Sequence, residues 1–220
     1  SSRVALGKNE IIVRLPKHIS VADKEKTLKQ FLVWARQQIE EKKYYHEHQH
    51  TVEYYQGRML KIYGKEFRTE IEFIATGKNK LSYRGDATLK IYLLENQPHK
   101  KQILEIQRFL LRFTEKYFLP ELQKRTLYWN DIYFKERIEK VDVKHTISRW
   151  GSCSSSRKIS FATKLLLLPQ IIIDYVIIHE LAHLKEMNHS PKFWKHVENV
   201  MPDYKTHRKW LQQNGSKIHF

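Results

Sequence analysis

Hydrophobic residues recur along this chain with two periods, and the switch between them divides it. From Val21 to about Lys43, Leu28, Phe31, Leu32, Ala35 and Ile39 fall at helical spacing. On either side the pattern is short and alternating. Glu10–Leu15 reads as a strand closed by Pro16. Thr51–Tyr55, Met59–Tyr63, Phe67–Ile74, Lys80–Tyr83 and Ala87–Leu94 are aromatic or β-branched runs separated by Gly57, Gly64, Gly77 and Gly85, the pattern of antiparallel hairpins. Pro98 closes this β-rich stretch. Beyond it, Ile103, Leu104, Ile106, Leu110, Phe113 and Tyr117 make an amphipathic helix over His99–Leu119, which Pro120 should end or kink. Val141–Ser148 and Lys158–Thr163 read as strands with a turn at Gly151–Ser156 between them. After Pro169 comes a helix that is apolar nearly all round, through Ile171, Ile172, Ile173, Val176, Ile177, Ile178, Leu181 and Ala182. Such a helix is expected to be buried, so every polar residue on it needs a reason. The pattern predicts an α+β fold: a β-rich region over 1–98, with a docking or regulatory role, and a second domain over 99–220.

Composition narrows the setting. The chain has 220 residues, 41% hydrophobic and 29% charged, with a mean hydropathy of -0.62, as in ordinary soluble domains. Its one cysteine permits no internal disulfide and points to a reducing, cytoplasmic compartment. The opening residues Ser1–Leu6 hold no apolar core of signal-peptide length. The greasiest stretch, Ile159–Ile178, is broken by Lys164, Pro169 and Asp174, so no membrane span is expected. Forty Lys+Arg against 24 Asp+Glu leave a net charge of +16. That surplus makes nucleic acid a candidate partner, but it is interleaved with glutamates and accompanied by no nucleic-acid-binding motif.

The chemistry is concentrated on the buried helix, at His179-Glu180-Leu181-Ala182-His183. Histidines four apart lie one turn apart on one helical face and can reach one ion. Glu180 is rotated by about 100° from His179, which lets it flank the ion as a base without ligating it. A hydrolytic zinc site needs a third protein ligand, and the next histidine is His189. On a continued helix His189 would point away, about 240° round from His183, so the chain must turn. Asn188 reads as a left-handed cap for the first helix. Ser190-Pro191 reads as the N-cap and first residue of the next, which runs through Phe193, Trp194 and Val197. The expected cofactor is therefore a single zinc ion on His179, His183 and His189.

These residues carry a resemblance. Arg149-Trp150-Gly151-Ser152-Cys153, Tyr175–Leu184 and Asn188-His189-Ser190-Pro191-Lys192-Phe193-Trp194 are similar to the corresponding motifs of YgjP-like metallopeptidases, relatives of the SprT-like and WLM proteases. The likeness is strong over the last third of the chain and weak before it. It implies a zincin-type core of backing helix, small sheet and active-site helix, with Glu180 as general base and a peptide or protein as substrate. Ala162 departs from it, standing where an asparagine is expected.

Beyond the metal ligands, Lys158, Ile159, Ser160 and Phe161 are candidates for the strand that pairs with an extended substrate. Tyr204, His207 and Arg149 are candidates for the transition-state stabiliser. Cys153 reads as a small residue in a tight turn, Trp150, Phe193 and Trp194 as packing beneath the site, and Arg208 as a surface residue. His46, His48 and His50 would share one strand face, a weaker second metal candidate. Two alternative functions remain open at this level: a SprT-like protease acting on DNA-bound proteins, and a non-catalytic module with structural zinc. The latter would need four protein ligands, where three are evident.

Overall fold

The computed structural model describes residues 2–6, 11–16, 20, 23–25, 27–36, 39 and 57–218. The chain forms two compact units, Ser1–Thr51 and Val52–Phe220. In the first, β1 (Arg3–Leu6) and β2 (Ile11–Arg14) form an antiparallel ribbon with Val4 opposite Val13. The helix expected after Val21 is present at 23–25, 27–36 and 39. Ser20 starts it: its Oγ accepts from the Asp23 N–H at 3.1 Å and donates to the Asp23 carboxylate at 2.6 Å. The strand read at Thr51–Tyr55 and the histidines 46, 48 and 50 lie outside the described residues.

The second unit opens with a hairpin. β3 (Met59–Ile62) and β4 (Lys65–Ile74) are joined by Tyr63-Gly64, both in the left-handed region at φ 49° and 77°, the requirement of a tight two-residue turn. β5 (Lys80–Tyr83) pairs antiparallel with β6 (Thr88–Leu94). The sheet order is β3-β4-β6-β5, and β6 runs parallel to β4. The expectation of antiparallel hairpins holds for two of these three pairings. β4 and β6 are the interior strands, and β6 alternates most cleanly, burying Leu89, Ile91 and Leu93. The Asn79 side chain fastens it there, accepting from the Leu94 N–H at 2.8 Å and donating to Gln97 at 2.9 Å.

Across the inner face of this sheet lies α1 (His99–Trp129), burying Ile103, Ile106, Leu110, Phe113, Phe118 and Leu122. Phe67 of β4 meets Phe113 and Phe118 edge-on at 5.3 and 5.9 Å. Pro120 neither ends this helix nor stops its apolar stripe, which continues through Leu122 and Thr126. Pro120 and Lys116, four residues before it, are both exposed, so the carbonyl freed by the missing N–H faces water. Pro98 lies within the second unit, where its carbonyl accepts from Lys101 and Gln102 in the first turn of α1. The strands before it and the helix after it share one core, in which Leu89, Ile91 and Leu93 pack with Ile106, Leu110 and Phe113.

A wider turn, Asn130–Phe134, finishes α1 and is closed by Lys135 at φ 52°. The buried Asn130 amide clamps it, donating to the Glu136 carbonyl and accepting from the Glu136 N–H. A second sheet follows, of β7 (Lys140–Lys144), β8 (Gly151–Cys153) and β9 (Lys158–Ala162), in the order β7-β9-β8. β7 ends four residues short of the expected Ser148. The first half of the expected turn at Gly151–Ser156 is strand, because Gly151–Cys153 pairs antiparallel with β9.

α2 (Gln170–Ala182) is buried on nearly every side, as its composition required, with only Ile171 strongly exposed among its large apolar residues. Its one buried acid besides Glu180 is Asp174. Arg125 of α1 grips that carboxylate at 2.8 and 2.7 Å, and the Trp129 indole N–H adds a third bond at 3.2 Å, which locks α2 to α1. α3 (Pro191–Val200) and α4 (Tyr204–Asn214) close the chain. The whole is an α+β architecture.

Candidate metal centre

The site is assembled where α2 stops. His179 occupies its last full turn and His183 its C-cap, ring centroids 5.1 Å apart. The helix ends at Ala182 rather than at Asn188, and Asn188 is not left-handed. The turn is made earlier: the N–H groups of Lys185 and Glu186 both fold back to the Ala182 carbonyl. Lys185 is also anchored to Glu136 at 3.3 Å. Ser190 then caps α3 as its sequence required, its Oγ accepting from the Phe193 N–H at 3.3 Å with Pro191 as the first helical residue. His189, just before the cap, is thereby returned to the end of α2.

Three imidazoles converge. The His189 ring lies 5.0 Å from that of His179 and 4.7 Å from that of His183. The Nε2 atoms of His179 and His189 are 3.0 Å apart, and one nitrogen of each of the three histidines lies within 4.8 Å of the others. His183 Nδ1 sits 3.2 Å from the Glu186 carbonyl, which can only accept. Nδ1 therefore carries the proton and leaves the Nε2 lone pair free, the arrangement that orients ligating histidines. Phe193, fully buried, forms the floor, at 4.9, 4.5 and 4.7 Å from the three rings.

The electrostatics suit ligation. Burial pushes His179 down to about 3, reinforced by His183, His189 and Arg208. Burial also lowers His183 and His189. All three are thus neutral at pH 7, with lone pairs available. Three neutral nitrogens around one point are a donor set that fits zinc.

Glu180 stands beside them, 5% exposed and without a hydrogen-bond partner among the described residues. Burial raises its pKa to about 8 against the opposing pull of Arg149. Gly151 makes room for it: an added Cβ there would lie 2.6 Å from both Cγ and Oε1 of Glu180. Cys153, next on the same face of β8, is pushed up to about 11 by burial and then by Glu180. It stays a thiol at neutral pH, and its Sγ faces the Ser154 carbonyl at 3.7 Å, as befits a small packing residue.

The remaining candidates separate. β9, with Lys158, Ile159, Ser160 and Phe161, is the middle strand: β7 pairs with it on one side and β8 on the other. Its main chain therefore has no free edge for a substrate, which corrects the sequence expectation. The edge strands are β7 and β8, and β8 is the one beside Glu180. The Ala162 N–H donates to the Trp150 carbonyl and the Ser154 N–H to the Lys158 carbonyl, so Trp150, Ser152 and Ser154 face β9. By alternation Gly151 and Cys153 direct their N–H and C=O groups the other way, where no strand pairs among the described residues. Tyr204 is buried and stacked on Trp194 at 5.3 Å. His207 Nε2 lies 3.0 Å from an Asp203 carboxylate oxygen. Arg149 is exposed, and its charge bears on Glu180.

Two residues at the site were not legible as such. Tyr175 is buried, its ring 6.1 Å from His179, and burial raises it to about 12. Arg208 places its guanidinium 4.8 Å over the Trp194 ring, and its charge reaches His179 and His189. The i−4 spacing from His179 could have marked Tyr175. Nothing local could have marked Arg208, because the approach of α4 to α3 is a tertiary fact.

The profile described as YgjP-like, metallopeptidase domain, matches residues 2–214. No curated protein matches the chain. Among solved structures, the metallopeptidase zymogen of Pyrococcus abyssi abylysin matches with 28% identity and a TM-score of 0.39, over 42% of this chain and 93% of that one. The metallopeptidase zymogen of Methanocaldococcus jannaschii jannalysin matches with 19% identity and a TM-score of 0.35, over 42% of this chain and 91% of that one. No described helix is long and apolar enough to cross a membrane.

Proposed function

The chain belongs to the YgjP-like metallopeptidase family, and from that premise we propose that it hydrolyses peptide bonds with one zinc ion held by His179, His183 and His189 and with Glu180 as general base. The observation that carries this reading is the convergence of three neutral imidazoles beside a buried carboxylate that has no hydrogen-bond partner among the described residues. Zinc on such a donor set, when bound, lowers the pKa of water towards ~7 and polarises a carbonyl.

The protein's own groups supply the rest. The Glu180 carboxylate takes the proton of the attacking water as the new C–O bond forms. The carboxyl so formed keeps that proton until the C–N bond breaks and the amine needs it. Burial excludes bulk water from the carboxylate, and Gly151 keeps its place open. An extended peptide adds to the outward edge of β8, pairing with Gly151 and Cys153, which brings its main chain alongside Glu180.

The test compares wild type with Glu180→Gln on casein and a peptide library, in zinc-replete buffer. The variant should fold and keep its zinc, and cleavage should fall by a factor on the order of 10²–10⁴. Equal cleavage by both forms would refute the general-base role.

A further inference from the structure

Arg208 follows Tyr204 by one turn on α4, and its direction is set by aromatic packing. Its guanidinium sits 4.8 Å over Trp194, whose ring is 5.3 Å from Tyr204 and 5.7 Å from His189. Exposed arginines commonly point into solvent or pair with a carboxylate. Arg208 is exposed yet makes no ion pair among the described residues. It is stacked instead on the ring that adjoins a ligand histidine. Its charge falls on His179, His189 and the phenol of Tyr175. That phenol also feels Tyr204 and Glu180, and the Trp194 ring that carries Arg208 packs against both Tyr204 and His189.

A fixed positive charge beside three groups suited to a cation opposes cation binding, since like charges repel. The arrangement makes chemical sense if the site must at some moment hold an anion next to the cation. Peptide hydrolysis creates one. When water adds to the scissile carbonyl, the C–O bond forms, the carbonyl π pair moves onto oxygen, and Glu180 takes the proton. When that oxygen's pair returns, the C–N bond breaks and the proton goes to the amine.

We propose that Arg208 is the donor that hydrogen-bonds this oxyanion, the guanidinium being held in place by Trp194. The assignment rests on the peptidase reading above and supplies the transition-state stabiliser that reading lacks. A planar fork of N–H donors suits an oxygen whose charge grows during reaction. The role differs from that of Arg149, whose charge bears on the base.

The experiment uses zinc-loaded wild type, Arg208→Gln and Arg208→Lys. It reads kcat and KM on one cleaved peptide, and calorimetric affinity for a phosphinic peptide, which mimics the tetrahedral anion, and for the matching product peptide. In Arg208→Gln, kcat should fall by about 10²–10³ with KM nearly unchanged. Affinity for the phosphinic peptide should fall in parallel and that for the product should not. Arg208→Lys should recover part of both losses, while zinc content and Tm stay at wild-type values in each variant. Unchanged kcat and phosphinate affinity in Arg208→Gln would overturn the proposal alone. So would a loss confined to KM, or to substrates bearing an acidic side chain, since Arg208 would then read substrate charge. A lowered Tm without lysine rescue would overturn it in favour of a packing role. A wild type that neither cleaves peptides nor binds the phosphinate would overturn the peptidase reading and this assignment with it.

Discussion

Gly151 and Glu180 interlock: a methyl group on the glycine would lie 2.6 Å from Cγ and Oε1 of the glutamate and 2.8 Å from its Cδ. The φ of Gly151 is not positive, so the need for glycine is one of space and not of backbone freedom. Gly151→Ala should therefore displace the carboxylate rather than break the strand. Activity should fall by about 10², the usual scale for misplacing a reacting group by an ångström. Zinc content should be unchanged, and stability should drop by ~1–3 kcal/mol from overpacking. Assays of hydrolysis, metal content and thermal melting on one preparation check this. Wild-type activity in the variant would show that Glu180 is not held where the reaction needs it.

The same carboxylate makes the zinc-free protein pH-sensitive in a defined direction. Glu180 binds its proton more tightly in the fold, at about 8, than in the unfolded chain, near 4.5. Its contribution to stability is complete below pH 4.5 and is lost as pH rises towards 8. His179 acts oppositely. It stays neutral down to about 3 in the fold but is protonated below 6.5 when unfolded, so its contribution is lost as pH falls through that window. Between pH 6.5 and 8 the histidine has no further effect and Glu180 acts alone of the two. In chelator, the Tm of wild type should decline over pH 6.5–8, and Glu180→Gln should flatten that decline. Equal slopes would contradict the burial of an ionisable carboxyl at this position.

Substrate docking on the β8 edge predicts a main-chain signature. Replacing single substrate amides by N-methyl amides near the scissile bond should raise KM about tenfold at positions paired with Gly151 or Cys153, the equivalent of ~1.4 kcal/mol for one lost hydrogen bond. Alternate positions should tolerate the change, because a strand offers its bonds to one side at every second residue. A scan of N-methyl peptides measures this directly. A KM indifferent to methylation at every position would rule out strand addition.

How much of this was written locally in the chain is clear from particular residues. His179, Glu180 and His183 are a spacing on one helix, and Ser190-Pro191 is a start signal, so the convergence of His189 is legible in the sequence itself. The apolar character of α2 likewise announced its burial. What escaped depends on neighbours distant in sequence. β9 reads as a strand on its own, and only the pairing of β7 and β8 on its two sides shows that it has no free edge. Pro120 looks like a helix end until the apolar stripe is followed past it to Leu122 and Thr126. Asn188 looks like a cap, but the chain had already turned at His183, where Lys185 and Glu186 bond back to Ala182. Arg208 looks like surface, and its meaning comes from Trp194 on another helix.

Metal stoichiometry tests most directly whether the three imidazoles hold one ion. Elemental analysis of zinc-replete, desalted protein should find one zinc per chain in wild type and in Glu180→Gln, and close to none in His183→Ala and His189→Ala. Added zinc should raise the Tm of the apo wild type but not of those two variants. A wild type without stoichiometric zinc or another transition metal, or histidine variants that retain a full equivalent, would contradict the account at its base.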